Sequence, residues 1–185
     1  RLWVYISSMF SFKKRWLFLT VLILIVVTGF IMPEPRFIPV KGATAADWHK
    51  DTFWYEPWGS SGVHKGIDIF GNTGTEVLAP TNILILYQGE LKKGGKVILG
   101  LGPKWRLHYL AHLDSIAENL STSVSAGSVI ATLGATGNAK GKPPHLHYSI
   151  ISLIPYPHLM DSSTQGMKKA FYLNPIEYLE IAMKK

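Results

Sequence analysis

From Trp16 to Met32 the chain reads WLFLTVLILIVVTGFIM, seventeen residues without a charge. A run of this length is at the short end of what crosses a bilayer as a helix. Lys13, Lys14 and Arg15 stand immediately before it, whereas residues 33–35 carry only Glu34. By the positive-inside bias the N-terminus stays in the cytoplasm and everything after Met32 is exported. A cleaved signal peptide and a buried core helix are the rival readings. No small-residue cleavage site follows directly, since Ala43 to Ala46 lie well downstream, and the basic flank and length speak against a core helix. The expectation is a single-pass signal anchor at 16–32 in the inner (cytoplasmic) membrane, behind a basic cytoplasmic segment at 1–15. The first methionine is Met9, so residues 1–8 are read as lying ahead of the natural start.

Residues 33–52, PEPRFIPVKGATAADWHKDT, mix prolines, small residues and charges without periodicity and read as a linker. His49 within it is given no role. The 185 residues suffice for one modest domain with appendages, and 47% hydrophobic content can supply its core. After Gly71 come NTGTEVLAP, NILILYQGE, KKGGKVILGLG, WRLHYLAHLD and SAGSVIATLGATGN, short β-rich runs between glycine, asparagine or lysine turns. That spacing predicts an all-β domain with an antiparallel sheet. The one helix expected after the anchor is at the end, where Asn174 caps, Pro175 fits the first turn and IEYLEIAMKK follows.

The stretch Gly62-Val63-His64-Lys65-Gly66-Ile67-Asp68-Ile69-Phe70-Gly71 holds an imidazole and a carboxylate four residues apart. Val63, Ile67, Ile69 and Phe70 favour extended chain, and Gly66 disfavours a helix. In a strand His64, Gly66 and Asp68 share a face, but fully extended the outer two lie about 13 Å apart, too far for one ion with bonds of about 2 Å. The chain is therefore expected to bend at Gly66. Upstream, Trp54, Tyr55 and Trp58 lead into Gly59-Ser60-Ser61-Gly62, either as wall and lip of a cleft or as core.

Further histidines occur in Pro143-Pro144-His145-Leu146-His147-Tyr148 and in His108-Tyr109-Leu110-Ala111-His112. His145 and His147 are two apart in a β-rich run and point to one face. His108 and His112 also share a face but are about 13 Å apart when extended, so one alone reaches a common site. Cysteine is absent, which leaves His, Asp or Glu for any zinc. A catalytic zinc keeps three protein ligands and an open position for water, whose lowered pKa makes it a nucleophile toward an amide. Further imidazoles nearby supply a proton acceptor and a partner for the developing oxyanion.

Taken in order, HKGIDI, GTEVLAP, YLAHL, GSVIATLGATGN and PPHLHY resemble the LytM or lysostaphin type of zinc metallopeptidase, peptidase family M23, over roughly residues 59–150. The resemblance implies an all-β, antiparallel fold with an open groove, placed at 53–155, with 156–185 a C-terminal extension carrying the helix. It implies His64, Asp68 and His147 as ligands of Zn2+ and His145 and His112 as the catalytic pair. His145 is the implied general base and His112 the group that stabilises the oxyanion, roles that the family allows to be exchanged. There are departures. The arginine that many relatives carry shortly before HxxxD is absent between Phe53 and Val63, and the segment GGKVILGLGPKWRLHY is altered. His108 is read as a groove or surface residue, SLIPYPHLMDSSTQGMKKAF as a loop flanking the groove, and His158 as exposed.

The expected function is that of a membrane-anchored zinc endopeptidase cutting peptide crosslinks of bacterial peptidoglycan, with its catalytic domain in the periplasm or outside the cell. The D-alanyl crosslink is favoured over a glycine bridge, because no wall-binding domain is apparent. The alternative is a non-catalytic LytM-type domain that binds wall and activates an amidase; such relatives typically lack one or more of the five positions, all present here. The net charge of +7 suits anionic partners. No nucleic-acid module accompanies the dispersed basic residues, so no nucleic-acid partner is expected.

Overall fold

A computed structural model describes residues 2–184, with side chains from Phe12 onward. The chain divides at Pro33/Glu34 into two compact units. The first is a helix, α1 (Leu2–Ile31), whose stretch Phe12–Ile31 is long and apolar enough to cross a membrane. Leu17, Phe18, Ile23 and Leu24 on it are all more than half exposed, so it is not a core helix. The basic triplet Lys13–Arg15 lies inside α1; the rest of the expected 1–15 segment falls largely outside the described side chains.

In the second unit the described residues form nine strands, β1 (Ile67–Phe70), β2 (Glu76–Leu78), β3 (Ile83–Leu91), β4 (Gly95–Gly102), β5 (Arg106–Ile116), β6 (Ser123–Val124), β7 (Val129–Leu133), β8 (His145–Ser152) and β9 (Tyr172–Leu173). They pair antiparallel in the order β1-β8-β5-β4-β3-β6, with β7 joining β2 to β5 and β9 flanking β8. The all-β expectation holds, as does the final helix, α2 (Pro175–Met183), capped by the Asn174 side chain on the Ile176 N–H.

Alternation along β8 sets the two faces of the sheet. Leu146, Tyr148 and Ile150 are buried in a core with Ile67, Ile69, Ile98, Leu110 and Leu133, while His145, His147 and Ser149 take the opposite face. Ile176, Tyr178 and Leu179 of α2 complete that core.

Two expectations are corrected here. Residues 33–52 are not a free linker from Glu34 onward. Val40 is buried and bridged to Val77, Trp48 is buried and bridged to Ile69, and the Glu34 carboxylate accepts from Arg106 at 2.7 Å and Arg36 at 2.9 Å. Isolated anchors of this kind have no periodicity, so composition alone reads as linker. His108 is neither a groove nor a surface residue. It is fully buried on the core face with its Nδ1 2.7 Å from the Tyr148 hydroxyl, and burial pushes its pKa down to about 3, the Arg106 and Arg36 charges adding to the effect.

Candidate metal centre and groove

His64 does not share a strand with Asp68. The chain bends at Gly66 and β1 begins only at Ile67. His64 is held instead by backbone pairing with the aromatic segment before it, Trp54 N–H donating to the His64 carbonyl (2.7 Å) and His64 N–H to the Tyr55 carbonyl (3.0 Å). Trp58 stacks on the His64 ring at 4.0 Å and lines the groove, whereas Trp54 is buried.

The need for glycine at position 66 comes from close approach. A Cβ there would lie 2.5 Å from the Tyr148 carbonyl oxygen, 2.5 Å from Ser149 Oγ and 3.0 Å from His147 Cε1. The backbone oxygen cannot step aside without disturbing the β1–β8 pairing that sets Asp68 opposite His147. Gly66→Val is therefore expected to destabilise the domain by about 1–3 kcal/mol and to weaken zinc binding, although residue 66 offers no ligand atom. Chelator-competition titration and thermal melting check this; wild-type values in both would show that the space is not needed.

The site is brought together by three adjacent strands and the bend. His64 Nε2, Asp68 Oδ1 and His147 Nδ1 form a triangle with sides of 3.2, 3.0 and 3.0 Å. A tetrahedral ion with bonds of about 2.0–2.1 Å needs its ligands roughly 3.3 Å apart, so the triangle fits zinc with little adjustment. The protons are arranged to suit. His64 Nδ1 lies 3.0 Å from the Thr52 carbonyl, which can only accept, so the proton sits on Nδ1 and the Nε2 lone pair faces the triangle. His147 Nε2 is 3.0 Å from Ser149 Oγ, which leaves Nδ1 for the triangle. Such partners behind metal-binding imidazoles orient the ring and fix its tautomer. Burial would raise the Asp68 pKa, yet the neighbouring His147 and His64 bring it well below the usual carboxylate range. The three ligand atoms lie close enough together to hold one metal ion.

His112 reaches this face by a defect in the sheet. Opposite Val97, between the pairs Lys96↔Leu113 and Ile98↔Leu110, β5 carries two residues, Ala111 and His112. His112 has φ +65, and its N–H donates to the Gly94 carbonyl at 2.8 Å. This bulge breaks the alternation that would have kept His112 on the core face with His108. The His112 and His145 rings meet edge to face, 5.0 Å between centroids. Each is anchored through Nδ1–H to a backbone carbonyl, His112 to Thr136 (2.9 Å) and His145 to Pro143 (2.8 Å). In the neutral form of each ring this places the lone pair on Nε2, and that of His145 is 3.9 Å from Asp68 Oδ2. Burial pushes the His112 pKa down to about 4 despite the Thr136 hydrogen bond, with His145 and His147 pushing the same way, so His112 is neutral at neutral pH.

All five residues singled out in the sequence thus border one open groove of about 730 Å³, joined by Tyr109, Lys65, Lys93 and Lys142. Sequence reasoning missed the supporting set of Thr52, Thr136, Pro143 and Ser149. Of these only Ser149, two residues past His147 on the same face of β8, had a signal in the sequence.

Fold and site together define a class: an antiparallel β domain whose groove holds a two-histidine, one-carboxylate donor set beside a second histidine pair. The family model described as Peptidase family M23 matches residues 62–156, and the chain belongs to that family. It is 31% identical over 139 residues to the L-Ala–D-Glu endopeptidase of Bacillus subtilis (strain 168), covering 61% of this chain and 40% of that protein. It is 33% identical over 105 residues to the murein hydrolase activator NlpD of Salmonella dublin, covering 56% of this chain and 27% of that one. The chain thus spans well under half the length of these curated relatives. Among solved structures, the catalytic domain of the antimicrobial peptidase lysostaphin from Staphylococcus simulans superposes with a TM-score of 0.53 at 26% identity, over 67% of this chain and 85% of that one.

Proposed function

We propose that the chain is a zinc-dependent endopeptidase, anchored by α1 in the cytoplasmic membrane with its catalytic domain in the periplasm or outside the cell. Its substrate is a peptide crosslink of peptidoglycan, the D-alanyl crosslink before a glycine bridge. The observation that carries this reading is the convergence of the His64–Asp68–His147 triangle with His112 and His145, each held through Nδ1 by a backbone carbonyl, on the same groove.

His64, Asp68 and His147 hold the zinc. When bound, zinc supplies Lewis-acid chemistry, activating water at neutral pH and polarising an amide carbonyl. His145 accepts the proton of the attacking water at Nε2, while its Nδ1–H bond to Pro143 fixes the tautomer. His112 is neutral at rest, with its Nδ1–H on the Thr136 carbonyl, and donates from Nε2 to the developing oxyanion by taking up a proton from solvent as the negative charge builds beside it. The Thr136 carbonyl and the bulge hold its ring toward the groove.

A second reading, a non-catalytic domain that binds wall and activates an amidase, is favoured by the similarity to the murein hydrolase activator. Mass spectrometry of muropeptides after digestion with the whole chain and zinc separates the two. The expected product is a new amine and carboxylate at the D-alanyl crosslink. An undigested sacculus overturns the hydrolase reading in favour of the second, and cuts within a glycine bridge overturn the choice of bond.

A further inference from the structure

The groove has an uneven charge that the metal chemistry does not require. Among the described residues lining it the sole carboxylate is Asp68, taken up by the metal triangle, while Lys65, Lys93 and Lys142 come from three separate segments. Two of these lysines converge on the Gly59–Ser61 turn that forms one lip. Lys65 Nζ donates to the Ser61 carbonyl at 3.2 Å, and Lys93 Nζ, arriving from the β3–β4 turn, donates to Ser60 Oγ at 2.7 Å.

The C-terminal extension adds a third cation. Trp54 Nε1–H donates to the Thr164 carbonyl at 3.0 Å, and Gln165 Nε2–H to the same Ser61 carbonyl at 2.8 Å, docking the extension beside the lip. Gln165 Oε1 in turn accepts from Lys168 Nζ at 2.9 Å, so Gln165 links Lys168 to the Ser61 carbonyl on which Lys65 also donates. Among the described residues the lysines in ion pairs with carboxylates are Lys41, Lys104 and Lys169; Lys65, Lys93, Lys142 and Lys168 have no carboxylate within 4.0 Å. Like charges gathered on neutral acceptors repel one another, and an anionic ligand relieves that repulsion. Gln165 and Lys168 also lie beyond residues 62–156, so family membership by itself says nothing of them.

We propose that Lys65, Lys93 and Lys168, gathered about Ser60 and Ser61, form a carboxylate-binding subsite at the lip of the groove. It selects stem peptides with free carboxylates over amidated ones and over uncharged glycine bridges. This rests on the endopeptidase reading and deepens it by naming the substrate class. It also gives the extension a task, completing a subsite that the matched domain only begins.

The test uses the whole chain in neutral detergent with zinc and two purified crosslinked muropeptides, identical except that the stem carboxylates are free in one and amidated in the other. The free form is expected to be cut about tenfold faster, as a few partly screened charge-assisted contacts allow. The preference shrinks as salt rises from about 0.05 to about 0.5 M. Lys65→Gln/Lys168→Gln is expected to bring the ratio close to unity, and arginine at both positions to restore it, which a merely structural role would not do. Equal rates for both peptides, or a ratio unmoved in the glutamine variant, overturn the subsite. Affinity for the two peptides is measured in parallel, so that the subsite is tested by binding as well as by turnover. If neither is cut, the endopeptidase reading fails, while a tenfold binding preference still supports the subsite and equal affinity overturns it.

Discussion

His147→Ala is expected to remove stoichiometric zinc. The whole chain, dialysed against zinc and then against buffer, should retain close to one ion per molecule, and the variant close to none. Zinc sites of full ligand count bind with about 10–16 kcal/mol, so losing one ligand costs on the order of a hundredfold to a thousandfold in affinity. The loss is sharp here because His147 does two things at once. Its Nδ1 closes the triangle 3.0 Å from both His64 Nε2 and Asp68 Oδ1, and its Nε2, engaged by Ser149 Oγ, keeps the ring turned so that Nδ1 faces the ion. The fold should survive, since the core face of β8 is formed by Leu146, Tyr148 and Ile150. Full metal retention in a folded variant would refute the ligand assignment.

His145→Ala is expected to show the opposite pattern, zinc kept and hydrolysis lost. The ring contributes no atom to the triangle, its Nε2 lying 3.9 Å from the outer Asp68 oxygen. Removing a positioned general base lowers turnover by about 10²–10⁴-fold. Zinc content and muropeptide turnover measured on one preparation distinguish this from a general loss of structure. Turnover equal to wild type would remove His145 as the base.

Single segments are legible where side-chain chemistry and local backbone preference agree. HKGID requires a bend at Gly66, and the bend is there, although what demands glycine is the Tyr148 carbonyl of another strand, which no local reading contains. HLH places two imidazoles on one face of β8, and the alternation holds along the strand. The same period-two argument fails four residues apart on β5, because a bulge opposite Val97 sends His112 into the groove and leaves His108 in the core. Nothing in HYLAHL marks where the extra residue falls; the register between β4 and β5 determines it. The segment after the apolar helix departs from its linker-like composition for a related reason. Glu34, Val40 and Trp48 are single contacts whose partners are the distant Arg106, Val77 and Ile69.

What the sequence determined by itself was therefore the inventory: an apolar helix, an antiparallel β domain, and the five histidine and aspartate residues that line one groove. Their identities and strand alternation are local properties, and local properties survive being read one segment at a time. Only the tertiary structure decided which nitrogen of each ring faces the groove, because Thr52, Thr136, Pro143 and Ser149 engage the other nitrogen of each ring. It also gathered lysines from three distant stretches at one lip of the groove. Both outcomes depend on distances of about 3 Å between groups far apart in the chain, and such distances are set by strand register and packing.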